Sequence, residues 1–159
     1  MAWWKNTRGE WYVVVQTLLF ALIAIGPGWI DVRPDLPGGA RAAALLAGVV
    51  LGGVGLALAV SGIVWLGDNL SALPHPKDNA TLVQSGPYAL ARHPIYCGLI
   101  VGAVGWALIH VSAMTLIYAG VLFAFFDLKS RREERYLAQK FPDYAAYQHR
   151  VRKLIPFVY

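Results

Sequence analysis

The sequence predicts an all-α integral membrane protein with four transmembrane helices, the last two forming a tight helical hairpin, plus amphipathic C-terminal helices. Three observations lead there. Hydrophobic residues make up 57% of the chain and charged residues only 14%, whereas soluble domains run nearer to a quarter charged. The charges are gathered into blocks that separate long uncharged runs. Lys and Arg also fall mostly on alternate connections, as membrane topology demands. The length of 159 residues fits one domain.

The first span is expected over 11–30, 20 residues without a charge, which is the length a bilayer-crossing helix needs. Trp3, Trp4 and Trp11 stand beside it, where tryptophans suit the headgroup layer. The long run and the lack of a small-x-small cleavage site read against a signal peptide. Gly26-Pro27-Gly28 and then 31–39 are expected to form a connection closed by Arg41. The second span, 42–67, has 26 uncharged residues and is long enough to cross with tilt. Within it Gly48 and Gly52, and Gly55 and Ala59, stand four apart, the spacing at which small residues let helices approach closely in lipid.

Residues 68–92 are polar and read as loop, with His75 expected to face solvent between Pro74 and Pro76. The run 95–126 then has 32 residues without Asp, Glu, Lys or Arg. One straight helix of that length would measure about 48 Å, against a hydrocarbon core of about 30 Å. Two helices, 95–110 and 112–128, turning near His110 to Ala113, solve the mismatch. Residues 127–159 form a charged tail. Ser130 and Glu133 match a helix N-cap box, and Leu137, Phe141, Tyr144, Tyr147 and Val151 recur at amphipathic-helix spacing. Pro142 is expected to divide the tail into two short helices, with 155–157 re-entering the interface.

Charge counting orients the chain. Four spans place the N-terminus, 68–94 and the tail on one side with 12 Lys and Arg, against 2 on the other. The positive-inside rule makes the rich side cytoplasmic. The net charge of +5 is therefore read as a basic collar for anionic lipid, not as a nucleic-acid surface. Cys97 is the only cysteine, which excludes an intramolecular disulfide and a zinc site built on thiolates. No acid or base sits at mid-membrane depth, so no transport pathway is marked.

Topology thus brings 80–98 and 129–156 to one membrane face, and the chemistry-bearing residues lie there. Leu82-Val83-Gln84-Ser85-Gly86-Pro87-Tyr88 and Arg92-His93-Pro94-Ile95-Tyr96-Cys97-Gly98 resemble the L-V-x-x-G-P-Y-x-x-x-R-H-P-x-Y-x-G signature of the isoprenylcysteine carboxyl methyltransferase family. Glu133-Glu134, Leu137, Phe141, Tyr144, Tyr147, Val151 and Ile155-Pro156 resemble its second set of elements. The resemblance covers roughly 80–156. Ala80 and Pro142 depart from it, standing where many relatives have histidine and glycine.

The resemblance implies methyl transfer from S-adenosyl-L-methionine, with S-adenosyl-L-homocysteine as product. It implies a cofactor site drawn from Leu82, Val83, Gly86, Tyr88, His93, Pro94, Ile95, Tyr96, Glu133, Glu134 and Leu137. The two glutamates are adjacent on a helix and about 100° apart, so one alone, with Glu133 preferred, is expected to face the pocket. Arg92, Lys129 and Arg131 (with Arg132) are the candidate cations for positioning a carboxylate acceptor; a lysine lacks arginine's bidentate fork. No metal is expected. The acceptor is expected to be a lipophilic or lipidated carboxylate within the membrane. A lipid amine, as in phospholipid N-methyltransferases, is the alternative; a non-enzymatic helical protein binding a partner or headgroup is the third.

Overall fold

The computed structural model describes residues 9–29, 32–156 and 158–159. The expectations for Trp3, Trp4 and Phe157 lie outside them. Among the described residues five α-helices follow in order: α1 (Glu10–Trp29), α2 (Gly38–Leu66), α3 (Pro94–His110), α4 (Ala113–Lys140) and α5 (Tyr144–Arg150). Short 3-10 turns occupy Gly67–Asn69 and Gly86–Ala89. Three helical stretches, Glu10–Trp29, Gly38–Asn69 and Ala113–Lys140, are long and apolar enough to cross a membrane, and Pro94–His110 is a shorter apolar helix. Leu18, Leu22, Leu46, Val49 and Val64 are exposed on α1 and α2, as side chains that meet lipid should be.

The turn between α3 and α4 is as short as the sequence predicts. Val111 takes a left-handed conformation, φ 50°, and closes α3 by donating to the Ala107 and Leu108 carbonyls. Ser112 then caps α4, its hydroxyl accepting from the Thr115 N–H.

The pairing of α2 with α3 rests on missing side chains. A Cβ on Gly55 would come within 2.5 Å of the Gly102 nitrogen and 2.6 Å of the Gly98 carbonyl. A Cβ on Gly98 would meet the Gly55 carbonyl at 2.5 Å, and one on Gly105 the Gly52 nitrogen at 2.6 Å. Close backbone approach replaces the hydrophobic drive that lipid removes. Gly55→Leu is therefore expected to lower the apparent melting temperature in detergent by several degrees, an overpacking cost of about 1–3 kcal/mol or more. Gly53→Leu, on an exposed face with nothing near its Cβ, should leave it unchanged. Helix α1 closes the bundle against α4, with Leu19, Ile23, Ala119, Leu122 and Phe126 buried together beside Ala103 of α3.

Four expectations need correction. Helix α1 continues through Gly26-Pro27-Gly28 to Trp29, with Arg33 Nη2 donating to the Pro27 carbonyl at 2.7 Å. Helix α2 starts at Gly38, so Arg41 lies inside its first turns. Ser130 caps nothing: α4 passes straight through it, and its hydroxyl bonds back to the Asp127 carbonyl. The charged run is composed of strong helix formers with no proline before Pro142, so helix propagation overrides the local cap signal. His75 is half-buried against the Tyr136 ring, 5.0 Å between centroids, and does not face solvent freely. The break at Pro142 is present, between the end of α4 and α5.

Candidate active site

At the polar ends of α2, α3 and α4 lies a cavity of about 370 Å³. Its walls come from Gln16 of α1, Ala59, Ile63 and Leu66 of α2, and Ile95, Tyr96 and Leu99 of α3. Lys129, Glu133 and Leu137 of α4 complete one side, with Phe141, Tyr144 and Tyr147 after them. The loop before α3 covers the opposite side through Asn69 to Leu73, Pro76 and Ala80 to Val83.

That loop is pinned, not free. Asn69 Oδ1 accepts from the Thr81 N–H at 2.7 Å. Lys140, in the last turn of α4, donates to the carbonyls of Lys77 and Asp78. Lys77 in turn donates to the Asp68 carbonyl. At its far end the chain turns at Gly86, whose φ of +59° places it where a Cβ would strike the Trp65 ring at 2.5 Å. Gly86 thus shapes the wall without lining the cavity.

Pro94 begins α3, its fixed φ suiting the first helical position. It is buried against Gly62 and does not reach the cavity. The first backbone bond of this turn runs from Cys97 N–H to the His93 carbonyl, so the N–H groups of Ile95 and Tyr96 precede the intrahelical ladder.

The two glutamates take separate duties. Glu133 lines the cavity and accepts from the Tyr96 hydroxyl at 2.9 Å. Glu134 turns away into a buried clamp. Its Oε1 meets Arg92 Nε at 2.8 Å and His93 Nε2 at 3.1 Å, and its Oε2 accepts from Gln148 Nε2 at 3.1 Å. Arg92 also donates to the carbonyls of Gln148 and Val151. The backbone N–H groups of Arg92 and His93 donate to the Arg152 and Lys153 carbonyls. The clamp therefore sews the loop ahead of α3 to α4, α5 and the segment after it.

His93, Tyr96 and Phe126 stack in sequence, with centroids 5.4 Å and 4.3 Å apart and planes within 10°. Tyr147 donates to the Tyr88 carbonyl at 2.6 Å, and Tyr88 to the Gly62 carbonyl at 3.2 Å. Burial pushes the Tyr147 phenol up to about 12, Arg92 opposing and Glu134 adding to the shift. Burial likewise holds Tyr88 and Tyr144 well above the ordinary phenol range.

Of the candidate cations, Lys129 is 1% exposed and lines the cavity. Its ammonium donates to Gln16 Oε1 at 2.7 Å and the Ala72 carbonyl at 2.9 Å, and lies 5.3 Å from the Tyr96 ring centre. Arg92 borders the cavity but is engaged in the clamp. Arg131 is misplaced by the sequence reading: it is exposed on another face of α4, paired with Asp127 at 2.8 Å, where Lys153 and Tyr159 also bond. Once α4 is one continuous helix, two residues beyond Lys129 means about 200° of rotation.

The structure therefore brings Leu82, Val83, Tyr88, Arg92, His93, Ile95, Tyr96, Lys129, Glu133 and Leu137 around one cavity. Gly86, Pro94 and Glu134 support it from behind, and Arg131 lies apart. Gln16, Phe141, Tyr144 and Tyr147 were not among the expected site residues, yet they line it. The tyrosines stood in the amphipathic pattern, and Gln16 is the one carboxamide in the first uncharged run.

The chain is thus a helical membrane bundle with an acid, a buried lysine and aromatic rings around a cavity at one end. The family model described as phospholipid methyltransferase matches residues 43–144, and the chain belongs to this family of S-adenosylmethionine-dependent membrane methyltransferases. Among curated relatives, it is 33% identical to the cobalt-zinc-cadmium resistance protein CzcN of Cupriavidus metallidurans, over 96% of this chain and 64% of that protein. It is 30% identical to the nickel-cobalt-cadmium resistance protein NccN of Alcaligenes xylosoxydans xylosoxydans, over 96% and 65%. It is 38% identical to the protein-S-isoprenylcysteine O-methyltransferase of Saccharomyces cerevisiae, over 48% of this chain and 33% of that enzyme. The chain thus spans less than two thirds of the length of these relatives. The fold is similar to that of the eukaryotic intramembrane Ras methyltransferase, isoprenylcysteine carboxyl methyltransferase. The TM-score is 0.61 at 21% identity, over 96% of this chain and 54% of that one.

Proposed function

We propose that this protein moves a methyl group from S-adenosylmethionine to a lipophilic anion, most simply a carboxylate, at the cytoplasmic face of the membrane. In this reading all four apolar helices, the shorter α3 included, span the bilayer and both termini face the cytoplasm. The observation that carries it is the pair Lys129 and Glu133, one turn apart on α4 and both in the cavity wall. Lys129 is held only by neutral oxygens, with no carboxylate within ion-pair distance among the described residues. A desolvated ammonium in that state favours an anion beside it.

The donor set fits the cofactor. Glu133 would take the ammonium of its amino-acid end. Leu82, Val83, Leu137 and the neighbouring rings offer the apolar wall that a flat adenine needs. When bound, the cofactor supplies an electrophilic methyl group. The protein's part is placement and exclusion of water: a carboxylate is a nucleophile near neutral pH and needs no general base, only a cation to hold it in line. A lipid ammonium would meet Lys129 as a like charge and would need to lose a proton first, which makes the amine acceptor the weaker reading despite the phospholipid family model.

Calorimetry with S-adenosylhomocysteine on folded, detergent-purified protein tests the cofactor. Binding is expected, and Glu133→Gln should weaken it about tenfold by removing a charged partner. No binding by the wild type would sink the methyltransferase reading, and unchanged affinity in Glu133→Gln would refute the role of Glu133. A labelled-methyl assay on membrane extract then identifies the acceptor. An ester releases methanol in mild alkali; an alkali-stable product would overturn the carboxylate.

A further inference from the structure

Tyr144 begins α5 and is 1% exposed. Its hydroxyl is the one buried side-chain polar atom without a hydrogen-bond partner among the described residues. Buried phenols ordinarily find an acceptor, and Tyr144 is one of the residues that line the cavity, with Phe141 and Tyr147. The two acids that act on it electrostatically carry other donors: Glu134 receives Arg92, His93 and Gln148, and Glu133 receives Tyr96. Tyr147, its edge-on neighbour at 5.9 Å, shows what a satisfied tyrosine looks like in the same setting. Burial and the nearby Glu134 keep the Tyr144 phenol protonated, so it is available as a donor.

We propose that Tyr144 is a cofactor-contact residue whose hydroxyl donates to the carboxylate of the amino-acid end of the bound S-adenosyl ligand. This rests on the proposed function and adds to it the recognition of that end. Two features select the carboxylate over the nucleoside. Glu133 and Arg92 border the same cavity as Tyr144, and Glu134, Arg92 and Glu133 all act electrostatically on it, so its surroundings are the charged part of the site. Glu133 suits the ammonium, and ammonium and carboxylate leave one carbon atom, so a donor in this neighbourhood meets the carboxylate.

The test is calorimetry on the full chain in detergent, with wild type and Tyr144→Phe. The ligands are S-adenosylhomocysteine and its decarboxylated analogue, 5′-(3-aminopropylthio)-5′-deoxyadenosine. Tyr144→Phe is expected to weaken the first about tenfold, as loss of a hydrogen bond to a charged group does, and to leave the second unchanged. Unchanged affinity for S-adenosylhomocysteine would overturn the assignment, and equal weakening of both ligands would move the hydroxyl off the carboxylate. Failure of the wild type to bind would instead remove the methyltransferase reading, and this assignment with it. Stability without ligand gives an independent readout. Tyr144→Phe deletes an unpartnered hydroxyl and should not lower the melting temperature, whereas Tyr147→Phe, which loses the bond to Tyr88, should. A comparable fall in both would show that Tyr144 has a partner within the protein and would also overturn the proposal.

Discussion

Lys129→Met is expected to lower kcat/KM for methyl transfer by about a hundredfold or more, the scale of losing a preorganised charged contact at the reacting centre. Affinity for S-adenosylhomocysteine should stay within about threefold, because the acceptor and not the cofactor is what this ammonium would hold. The physical reason is its setting. Lys129 is fixed from two sides, by Gln16 of α1 and the Ala72 carbonyl of the covering loop, so its remaining N–H has a defined direction. Methionine keeps the apolar stem of the side chain and removes the ammonium, and with it the charge, the bonds to Gln16 and the Ala72 carbonyl and the contacts with the Tyr96 and Phe126 rings. Lys129→Arg should not restore full activity, since a planar guanidinium does not fit a seat shaped for a compact ammonium. A labelled-methyl assay on membrane extract, beside calorimetry of each variant, measures both quantities. Transfer at wild-type rate in Lys129→Met would remove Lys129 from the acceptor site.

Glu134→Leu is expected to be the most destabilising substitution in the site. It leaves Arg92, whose side chain is only 11% exposed, without its acid, and strips partners from His93 and Gln148. Breaking a buried pair on one side costs about 3–5 kcal/mol, which corresponds to a fall of about 10 °C in apparent melting temperature for a chain of this size. The double variant Arg92→Leu with Glu134→Leu should recover part of that loss, because no orphan charge remains. It should not recover all of it, because the Arg92 bonds to the Gln148 and Val151 carbonyls are gone as well. Thermal unfolding in detergent by tryptophan fluorescence measures the series. A fall of less than about 2 °C for Glu134→Leu would mean that the clamp does not hold the segment after α5 in place.

These two residues show how far the sequence could be read. The linked motifs marked Glu133, Glu134, Arg92 and His93 as a group, and the 100° step between adjacent helical residues separated the glutamates in principle. The resemblance favoured Glu133 as the inward acid, and Glu133 is the one in the cavity wall; the Ser130 cap signal, by contrast, pointed to the wrong helix start. A cap box records a local preference of about 1 kcal/mol; uninterrupted helix-forming sequence on both sides outweighs it. Arg131 was grouped with Lys129 only by its closeness in sequence to the glutamates, and on one continuous helix the two face different ways. Gln16 was illegible for another reason. It lies more than a hundred residues from Lys129 in the chain, and no local pattern ties one carboxamide in an apolar run to a lysine on another helix.

The sequence alone determined the apolar runs that form the helices, a tight turn near His110 to Ala113, and the break at Pro142. Each follows from a short-range rule: run length against bilayer thickness, polar residues at a turn, and proline's missing N–H. It also marked the small residues of α2 as a packing face, since small residues at four-residue spacing let helices approach closely in lipid. Only the tertiary structure decided which side chains share the cavity. Rotation about a long helix is fixed by what it packs against, and the gap at Gly55, the clamp at Glu134 and the seat of Lys129 are each closed by residues from other elements.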